Sequence, residues 1–462
     1  MAAQQGYWDA AARRWRRASG TASGPLWDPR ATLANAEEVR RRIDQEFGFE
    51  LLEARFAFFR SAEDAAVMPG LLLDSYPIEY GMHLCLEHAE EASDLPPGYL
   101  ARTDAFCSLY LGLREELTEG RWRSTVRDDV KSGLGTEGWG ELCSLSAALF
   151  QMRFWSVFRP FAAAAGGFEL VTGPEEFDPI KGGSVTADFV LRAPTGQRYS
   201  VECKSLGKGP FRSRYEHHLR QVMIASPAIK RFLTEGAGVA HLTLPGLDAL
   251  DQAGGRDRLG ADIANVLEGG TGPLRIALSG GKTAAPGDAA QARALIRAMA
   301  PATAGGNLFS VVSYDLRRRE ERGAYIAFHW PATPDAFAKT VRGYADRLLN
   351  RQGLKRRPAI LAVSLDFLTI MQAEGEAVDL PGRPTASHAA GMIGGMEAIK
   401  AAIAADPACH DLYGILFWMD DPIHSASLWE ARIGTTFHFW RNPASPFADG
   451  ALLPFDRFNK VP

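Results

Sequence analysis

A β-hairpin with charged residues on one face constrains the fold of this chain more than any other sequence feature. Two runs, VTADFVL at 185–191 and RYSVECKS at 198–205, alternate in polarity and are joined by the turn sequence Ala-Pro-Thr-Gly. Because successive strand residues face opposite sides of a sheet, Glu202 and Lys204 share one face. Asp188 is a polar position in an otherwise apolar strand. The hairpin therefore predicts that Asp188 lies beside Glu202.

The surrounding sequence predicts a mixed α/β layer. An amphipathic helix with apolar residues at helical spacing precedes the hairpin, and a second amphipathic helix follows it before Pro227. Two further apolar runs have the length of strands. The predicted elements are helix 139–161, strand 168–171, the two hairpin strands, helix 213–226 and strand 238–244. Their order is α, β, β, β, α, β.

The acidic residues of the hairpin predict a divalent cation. Two carboxylates that are held close together repel each other unless positive charge lies between them, and Mg²⁺ or Mn²⁺ with hard oxygen ligands is the usual solution. A lysine two residues beyond the second acid can orient or deprotonate a water molecule, or stabilise charge on a phosphate. In this combination the metal would act as a Lewis acid and lower the pKa of a bound water molecule.

These residues resemble the PD-(D/E)xK superfamily of restriction-endonuclease-like nucleases. The matching positions are Asp188 in TADFVL and Glu202-Cys203-Lys204 in YSVECKS, with Ala187 in place of the nominal proline. The predicted order of elements over about 110 residues is also that of the family. The resemblance implies an endonuclease, with DNA as the expected substrate. Asp188, Glu202 and the Cys203 carbonyl would hold Mg²⁺ or Mn²⁺, and Lys204 would activate water.

The resemblance also implies residues outside the hairpin. The family often adds a glutamate from the first core helix; Glu141 is the best match, as a ligand of a second metal or of water, and Glu137 is the alternative. Polar residues of the second helix are expected near the site. The residues predicted to contact nucleic acid are Lys208, Arg212, Arg214, His217, Arg220 and Gln221.

Local charge supports two phosphate-facing stretches. Residues 203–235 contain seven Lys or Arg against two Glu, and residues 339–357 contain seven against one Asp. Solvated helix faces are the alternative interpretation of either stretch. The net charge of −4 argues against a protein that coats nucleic acid indiscriminately.

The 462 residues predict more than one domain. We expect an α/β protein with a mainly helical region at 1–130, a restriction-endonuclease-like core at 131–250 and an α/β lobe of unknown role at 251–462. The last region repeats a β, β, α, β order from about residue 309 to 367, which raises the hypothesis of a degenerate second copy of the core.

Composition narrows the partners and the compartment. No apolar run reaches the roughly 18 to 20 residues that a membrane span needs, and no apolar stretch follows the arginines near the start. The five cysteines are scattered without a CxxC pair. We therefore expect a cytoplasmic protein with no membrane partner. A homodimer, or a protein partner bound by the flanking regions, is compatible with the sequence, as is a role in defence or repair.

Other motifs carry less weight. LSGGKT at 278–283 lacks the first glycine of a phosphate-binding loop, and adjacent His217 and His218 diverge on a helix. Asp129-Val130-Lys131 matches the acid-x-Lys pattern outside a strand. Acids and a histidine at 420–424 end an apolar run and form a candidate second site. The alternative function for the whole chain is a catalytically silent module that binds nucleic acid or a protein.

Overall fold

The computed structural model describes residues 6–9, 14–17, 29–47, 50–64, 76, 78–89, 92, 97–113, 116, 130, 145–172, 176–178, 183–185, 187–205, 218–219, 221–223, 225–235, 238–243, 247–268, 276–278, 306–315, 320–331, 336–346, 348–349, 358–366, 386–423, 432–447 and 452–458.

The described residues form the following strands and helices. The strands are β1 (Gly6–Asp9), β2 (Arg14–Arg17), β3 (Glu169–Thr172), β4 (Glu176–Asp178), β5 (Gly183–Val185), β6 (Phe189–Arg192), β7 (Arg198–Ser205), β8 (Gly238–Thr243), β9 (Ile276–Leu278), β10 (Gly306–Asp315), β11 (Glu320–Pro331), β12 (Ala359–Asp366), β13 (Leu412–Ile423) and β14 (Arg432–Arg441). The helices are α1 (Pro29–Phe47), α2 (Glu50–Asp64), α3 (Glu79–Glu87), α4 (Pro97–Gly112), α5 (Leu145–Ala164), α6 (Pro227–Glu235), α7 (Leu247–Leu250), α8 (Gly255–Leu267), α9 (Ala336–Asp346) and α10 (Ala386–Ala405).

The described residues between 29 and 113 are mainly helical because their apolar residues recur at helical spacing. Val39 and Ile43 of α1 are fully buried one turn apart, as are Phe56 and Phe59 of α2. The Phe59 ring meets Tyr80 of α3 edge-on, with centroids 5.1 Å apart. A β1–β2 hairpin precedes these helices, and the sequence did not predict it.

The central feature is a mixed sheet whose six described strands lie in the order β14-β13-β12-β7-β6-β3. β12 runs parallel to both β7 and β13, whereas the remaining neighbours are antiparallel. The prediction that the strand at 238–244 completes this layer is wrong, because β8 pairs with β11 and β9 in another sheet. The strand beside β7 is β12, so strands from both sides of residue 250 share one sheet.

The predicted hairpin is present and its turn has the expected chemistry. β6 and β7 pair from Phe189↔Val201 to Arg192↔Arg198. The Gly196 N–H donates to the Ala193 carbonyl at 2.9 Å, and Gly196 has a φ of +85°, a conformation that favours glycine.

Helix α5 covers one face of the sheet with aromatic residues. Phe154 stacks on Phe189 of β6 at 5.3 Å between ring centroids, and Phe158 meets Trp418 of β13 edge-on at 5.9 Å. All four side chains are almost completely buried. Burying a large side chain contributes about 1.5–3 kcal/mol, so these contacts hold α5 firmly on the sheet.

The opposite face is covered by α9 and α10. Val341 of α9 and Ile399 of α10 pack in one cluster with Leu361 and Val363 of β12 and Ile415 of β13. The sheet therefore lies between two helical layers, and its interior is apolar on both sides, as parallel strands require.

Residues 206–358 are inserted between the adjacent parallel strands β7 and β12, and we call them the inserted segment. It contains a second sheet with the strand order β10-β11-β8-β9. The hypothesis of a degenerate second copy of the core is wrong, because β12 belongs to the six-stranded sheet and not beside β10 and β11. Ser226 stands before the predicted break at Pro227 and its Oγ accepts from the Ile229 N–H at 3.4 Å, at the start of α6.

The β, β, α, β order predicted from about residue 309 to 367 is present as β10, β11, α9 and β12. Among the described residues, no helix has the length and apolarity that a membrane crossing requires.

Candidate functional site

The hairpin brings Asp188 and Glu202 together where β6 begins. Phe189 pairs with Val201, so Asp188 stands opposite Glu202 at the first position beyond the ladder. The Asp188 N–H donates to Glu202 Oε2 at 3.4 Å, and the Cys203 N–H donates to Asp188 Oδ2 at 2.7 Å. Both acids are thus fixed by backbone groups of the opposite strand, as the alternation of residues predicts.

Lys204 completes this group. Its Nζ donates to Glu202 Oε1 at 2.6 Å, a short charge-assisted contact. Exposure differs between the partners: 3% for the Glu202 side chain and 27% for that of Lys204. The three residues predicted as the active-site centre therefore converge in the structure, with the lysine on the side that water reaches.

The neighbouring strand makes the surroundings of this group apolar. In register, Leu361 of β12 lies beside Glu202 and Val363 lies beside Lys204. Leu361 and Val363 are fully buried on the α9 and α10 side of the sheet, whereas Cys203 packs in the cluster on the α5 side. Charges in such surroundings interact more strongly than in water. Unbalanced charge at Glu202 is correspondingly costly.

The electrostatics keep the lysine charged. Burial lowers the pKa of Lys204, but attraction to Glu202 and Asp188 and the hydrogen bond to Glu202 outweigh burial, so its pKa is raised from 10.5. At neutral pH the Lys204 side chain is therefore an ammonium.

The thiol of Cys203 does not serve as a nucleophile in this environment. Burial raises its pKa well above 9.0, and the neighbouring charges of Asp188 and Glu202 raise it further. The thiol therefore stays protonated and behaves as a small apolar side chain.

Sequence reasoning missed Gln151, which reaches the site from α5. Its Nε2 donates to Asp188 Oδ1 at 3.2 Å. Gln151 is buried, with 6% of the residue exposed. Its Oε1 is buried and has no hydrogen-bond partner among the described residues. The available signal was a polar residue one turn before Trp155, on the apolar stripe of the helix. A buried amide there requires a polar partner.

Several predicted site residues lie outside the described part of the chain. They are Glu141 with its alternative Glu137, and Lys208, Arg212, Arg214, His217 and Arg220. Gln221 is described; it is helical and half-buried. The neighbouring His218 is buried, and its Nε2 lies 3.0 Å from Asp251 Oδ1. His218 therefore has a carboxylate partner in the inserted segment.

For the candidate second site at the end of β13, the structure describes the backbone pairing but not the side chains of the acids and the histidine. Trp418 is part of the core, where its ring meets Phe150 edge-on at 5.4 Å. Asp420 is in register with Asp366 of β12. The side chains of residues 419–424 lie outside the described part of the chain. Asp129 and Lys131, which match the acid-x-Lys pattern outside the hairpin, lie outside it as well.

The donor set at the hairpin fits a hard divalent cation. Asp188 and Glu202 supply carboxylate oxygens, and Gln151 adds a neutral oxygen close by. With one ammonium, the three charged residues sum to one negative charge. Within the described ranges, no group of three or more His, Cys, Asp or Glu residues is arranged to hold a metal.

Comparisons of the chain with protein-family models, with curated proteins and with solved structures find no match. Its function therefore has to follow from the chemistry of the hairpin site.

Proposed function

We propose that this chain is a divalent-cation-dependent nuclease that hydrolyses phosphodiester bonds, with DNA as the expected substrate. The observation that carries the proposal is the convergence of Asp188, Glu202 and Lys204 on one end of the β6–β7 hairpin. Each of these side chains is held by a hydrogen bond from or to the hairpin itself.

A structural ion pair alone does not account for this arrangement. Lys204 needs a single carboxylate to balance its charge, and Glu202 supplies it at 2.6 Å. Asp188 adds a second carboxylate against the first, in surroundings that strengthen their repulsion. Such a cost is typical of a site that gains a positive ligand.

The residues present fit Mg²⁺ or Mn²⁺. Asp188 and Glu202 would hold the ion, and the buried Oε1 of Gln151 is an oxygen still able to accept from a water in the same place. When bound, the cation would supply Lewis-acid charge to the phosphoryl oxygen and to a water nucleophile.

The chain's own residues would carry out the remaining work. Lys204, on the accessible side of the group, would place its ammonium against a phosphate oxygen as negative charge develops there. The N–H of Cys203 would keep Asp188 oriented, and Gln151 would hold the other oxygen of the same carboxylate. The Leu361 and Val363 side of the site would limit access of bulk water to Glu202.

The arrangement of the sheet is compatible with the same proposal. If only the six-stranded sheet and the helices packed on it are counted, α5, β3, β6, β7, α9 and β12 follow one another as helix, three strands, helix, strand; β4, β5 and the rest of the inserted segment lie outside this order. The difference from the sequence prediction is the length of chain between the third and fourth strands.

The test is cleavage of supercoiled plasmid and of single-stranded DNA, in EDTA and with Mg²⁺ or Mn²⁺. We expect metal-dependent cleavage by the native chain and a loss of at least about a hundredfold in Asp188→Asn and Glu202→Gln, both of which preserve side-chain shape. Glu397→Gln is the matched control, because Glu397 also pairs with a lysine at 2.6 Å but lies on the surface.

Two results would contradict the nuclease. One is the absence of cleavage by the native chain with either metal. The other is cleavage that survives in both site variants as well as in the control. Nucleic-acid binding without cleavage, combined with no calorimetric signal for Mn²⁺, would favour the catalytically silent module.

A further inference from the structure

The topology of the sheet defines a segment with an unusual charge. β7 and β12 are adjacent and parallel, so the chain has to return along the sheet between them, which takes about a dozen residues. Here 153 residues, 206–358, separate the two strands. α9, in the last part of this segment, already covers the sheet, so the second sheet and α6 to α8 are additional to what closure of the sheet requires.

The inserted segment is basic, whereas the rest of the chain is acidic. Residues 206–358 contain 23 Lys and Arg against 13 Asp and Glu, a net charge of +10. The remaining 309 residues contain 28 against 42, a net charge of −14. The overall charge of −4 therefore conceals two regions of opposite sign, and only one of them attracts a polyanion.

The segment begins at the candidate site. Lys204 is followed by Ser205, the last residue of β7, and the chain then enters the inserted segment. The inserted segment is therefore joined directly, along the chain, to the strand that carries Glu202 and Lys204. A polyanion is attracted to this segment and repelled by the acidic remainder of the chain.

Helices α6 and α8 show how the segment separates apolar from basic residues. Ile229 of α6 and Ile263 of α8 are buried in the same apolar cluster as the aromatic residues of α5, and the two helices pack together. Four cationic side chains on these helices are exposed: Lys230, Arg231, Arg256 and Arg258. Arg231 lies 3.7 Å from Glu268, a surface pair that a phosphate can displace at little cost.

We propose that the inserted segment is the nucleic-acid-binding surface of this protein, and that the exposed cations of α6 and α8 contact phosphates. This proposal rests on the proposed nuclease function, since the segment would bind the substrate. Its test measures binding and does not require cleavage. Nucleic acid is the partner that fits, because each phosphate neutralised by a cation adds to the affinity, and this segment carries many cations.

The test is binding of a fluorescein-labelled DNA duplex to the full chain, measured by anisotropy in EDTA so that cleavage cannot interfere. One variant carries Lys230→Gln, Arg231→Gln, Arg256→Gln and Arg258→Gln. The matched control removes four exposed arginines outside the segment: Arg41→Gln, Arg102→Gln, Arg192→Gln and Arg198→Gln. Circular dichroism checks that both variants fold.

We expect the first variant to bind at least about tenfold more weakly near 0.1 M salt, because each phosphate that a cation neutralises contributes about 0.9 to the slope of log K against log salt. The slope should fall by about one for each phosphate that the variant no longer neutralises, while the control keeps the native affinity and slope. Equal binding by the two variants overturns the proposal, as does a native chain that binds no DNA and instead binds an acidic protein. Because plasmid cleavage by the native chain is scored separately, failure here is distinct from failure of the nuclease.

Discussion

Replacement of Lys204 by methionine tests the electrostatic account of the site through stability. The Glu202 side chain is 3% exposed and its Oε1 lies 2.6 Å from the Lys204 ammonium. Methionine preserves most of the side-chain volume and removes the charge. In Lys204→Met the Glu202 carboxylate therefore stays buried without the ammonium that balances it.

The expected magnitude follows from the burial of the two partners. Removal of one partner of a fully buried ion pair costs about 3–5 kcal/mol, because the remaining charge is uncompensated. The Lys204 side chain is 27% exposed, and Glu202 still accepts from the Asp188 N–H. We therefore expect a loss of about 2–3 kcal/mol in the free energy of unfolding at about pH 8.

Lys400→Met is the matched control. Lys400 lies 2.6 Å from Glu397, the same distance, but the Glu397 side chain is 61% exposed. Water therefore solvates the carboxylate that remains, and a surface pair is worth about 0–1 kcal/mol. The comparison separates burial of the partner from the mere loss of a lysine.

The assay is urea denaturation in EDTA, with the change in free energy taken from the shift in midpoint. A loss no greater than that of Lys400→Met would refute the reasoning.

Three further predictions concern the same group. Asp188→Asn should keep or raise the free energy of unfolding in EDTA, because it removes repulsion from Glu202 and the Gln151 amide can turn its Oε1 toward the new N–H₂; urea denaturation checks this, and a loss above about 2 kcal/mol would contradict it. Gln151→Leu should lower stability by about 1–3 kcal/mol in the same assay, because Asp188 Oδ1 loses a donor; an unchanged midpoint would show that this hydrogen bond contributes nothing. The raised pKa of Lys204 makes its contribution complete below pH 10.5 and lost as the pH rises through the folded value, so the stability difference between the native chain and Lys204→Met should shrink in strong alkali; a difference that grows there has the wrong sign.

The sequence predicts the parts of this site that depend on local patterns. Alternation of residues places Glu202 and Lys204 on one face, and the Ala-Pro-Thr-Gly turn sets the register that puts Asp188 opposite Glu202. These relations involve residues less than about 20 positions apart, within the reach of one hairpin. The helical stripe of α5 and most strands of the second half are local in the same sense.

The features that the sequence did not predict depend on contacts between residues that are distant in the sequence. An apolar run such as GVAHLTL has the composition of a buried strand, but periodicity does not identify its partner. β8 and β12 satisfy the same local rules, and only the three-dimensional structure assigns β12 to the edge of β7. Gln151 was missed for a similar reason, because its partner Asp188 lies 37 residues away.

The site therefore has two sources in the chain. The hairpin supplies both carboxylates and the lysine, and these would lie close together in any fold that forms the hairpin. Their surroundings come from β12, which begins more than 150 residues after β7 ends and places Leu361 and Val363 against Glu202 and Lys204. In apolar surroundings the repulsion between two neighbouring carboxylates is stronger than in water, and so is their attraction to a positive charge. The residues that define the chemistry are thus set by local sequence, whereas the strength of that chemistry depends on closure of the sheet across the inserted segment.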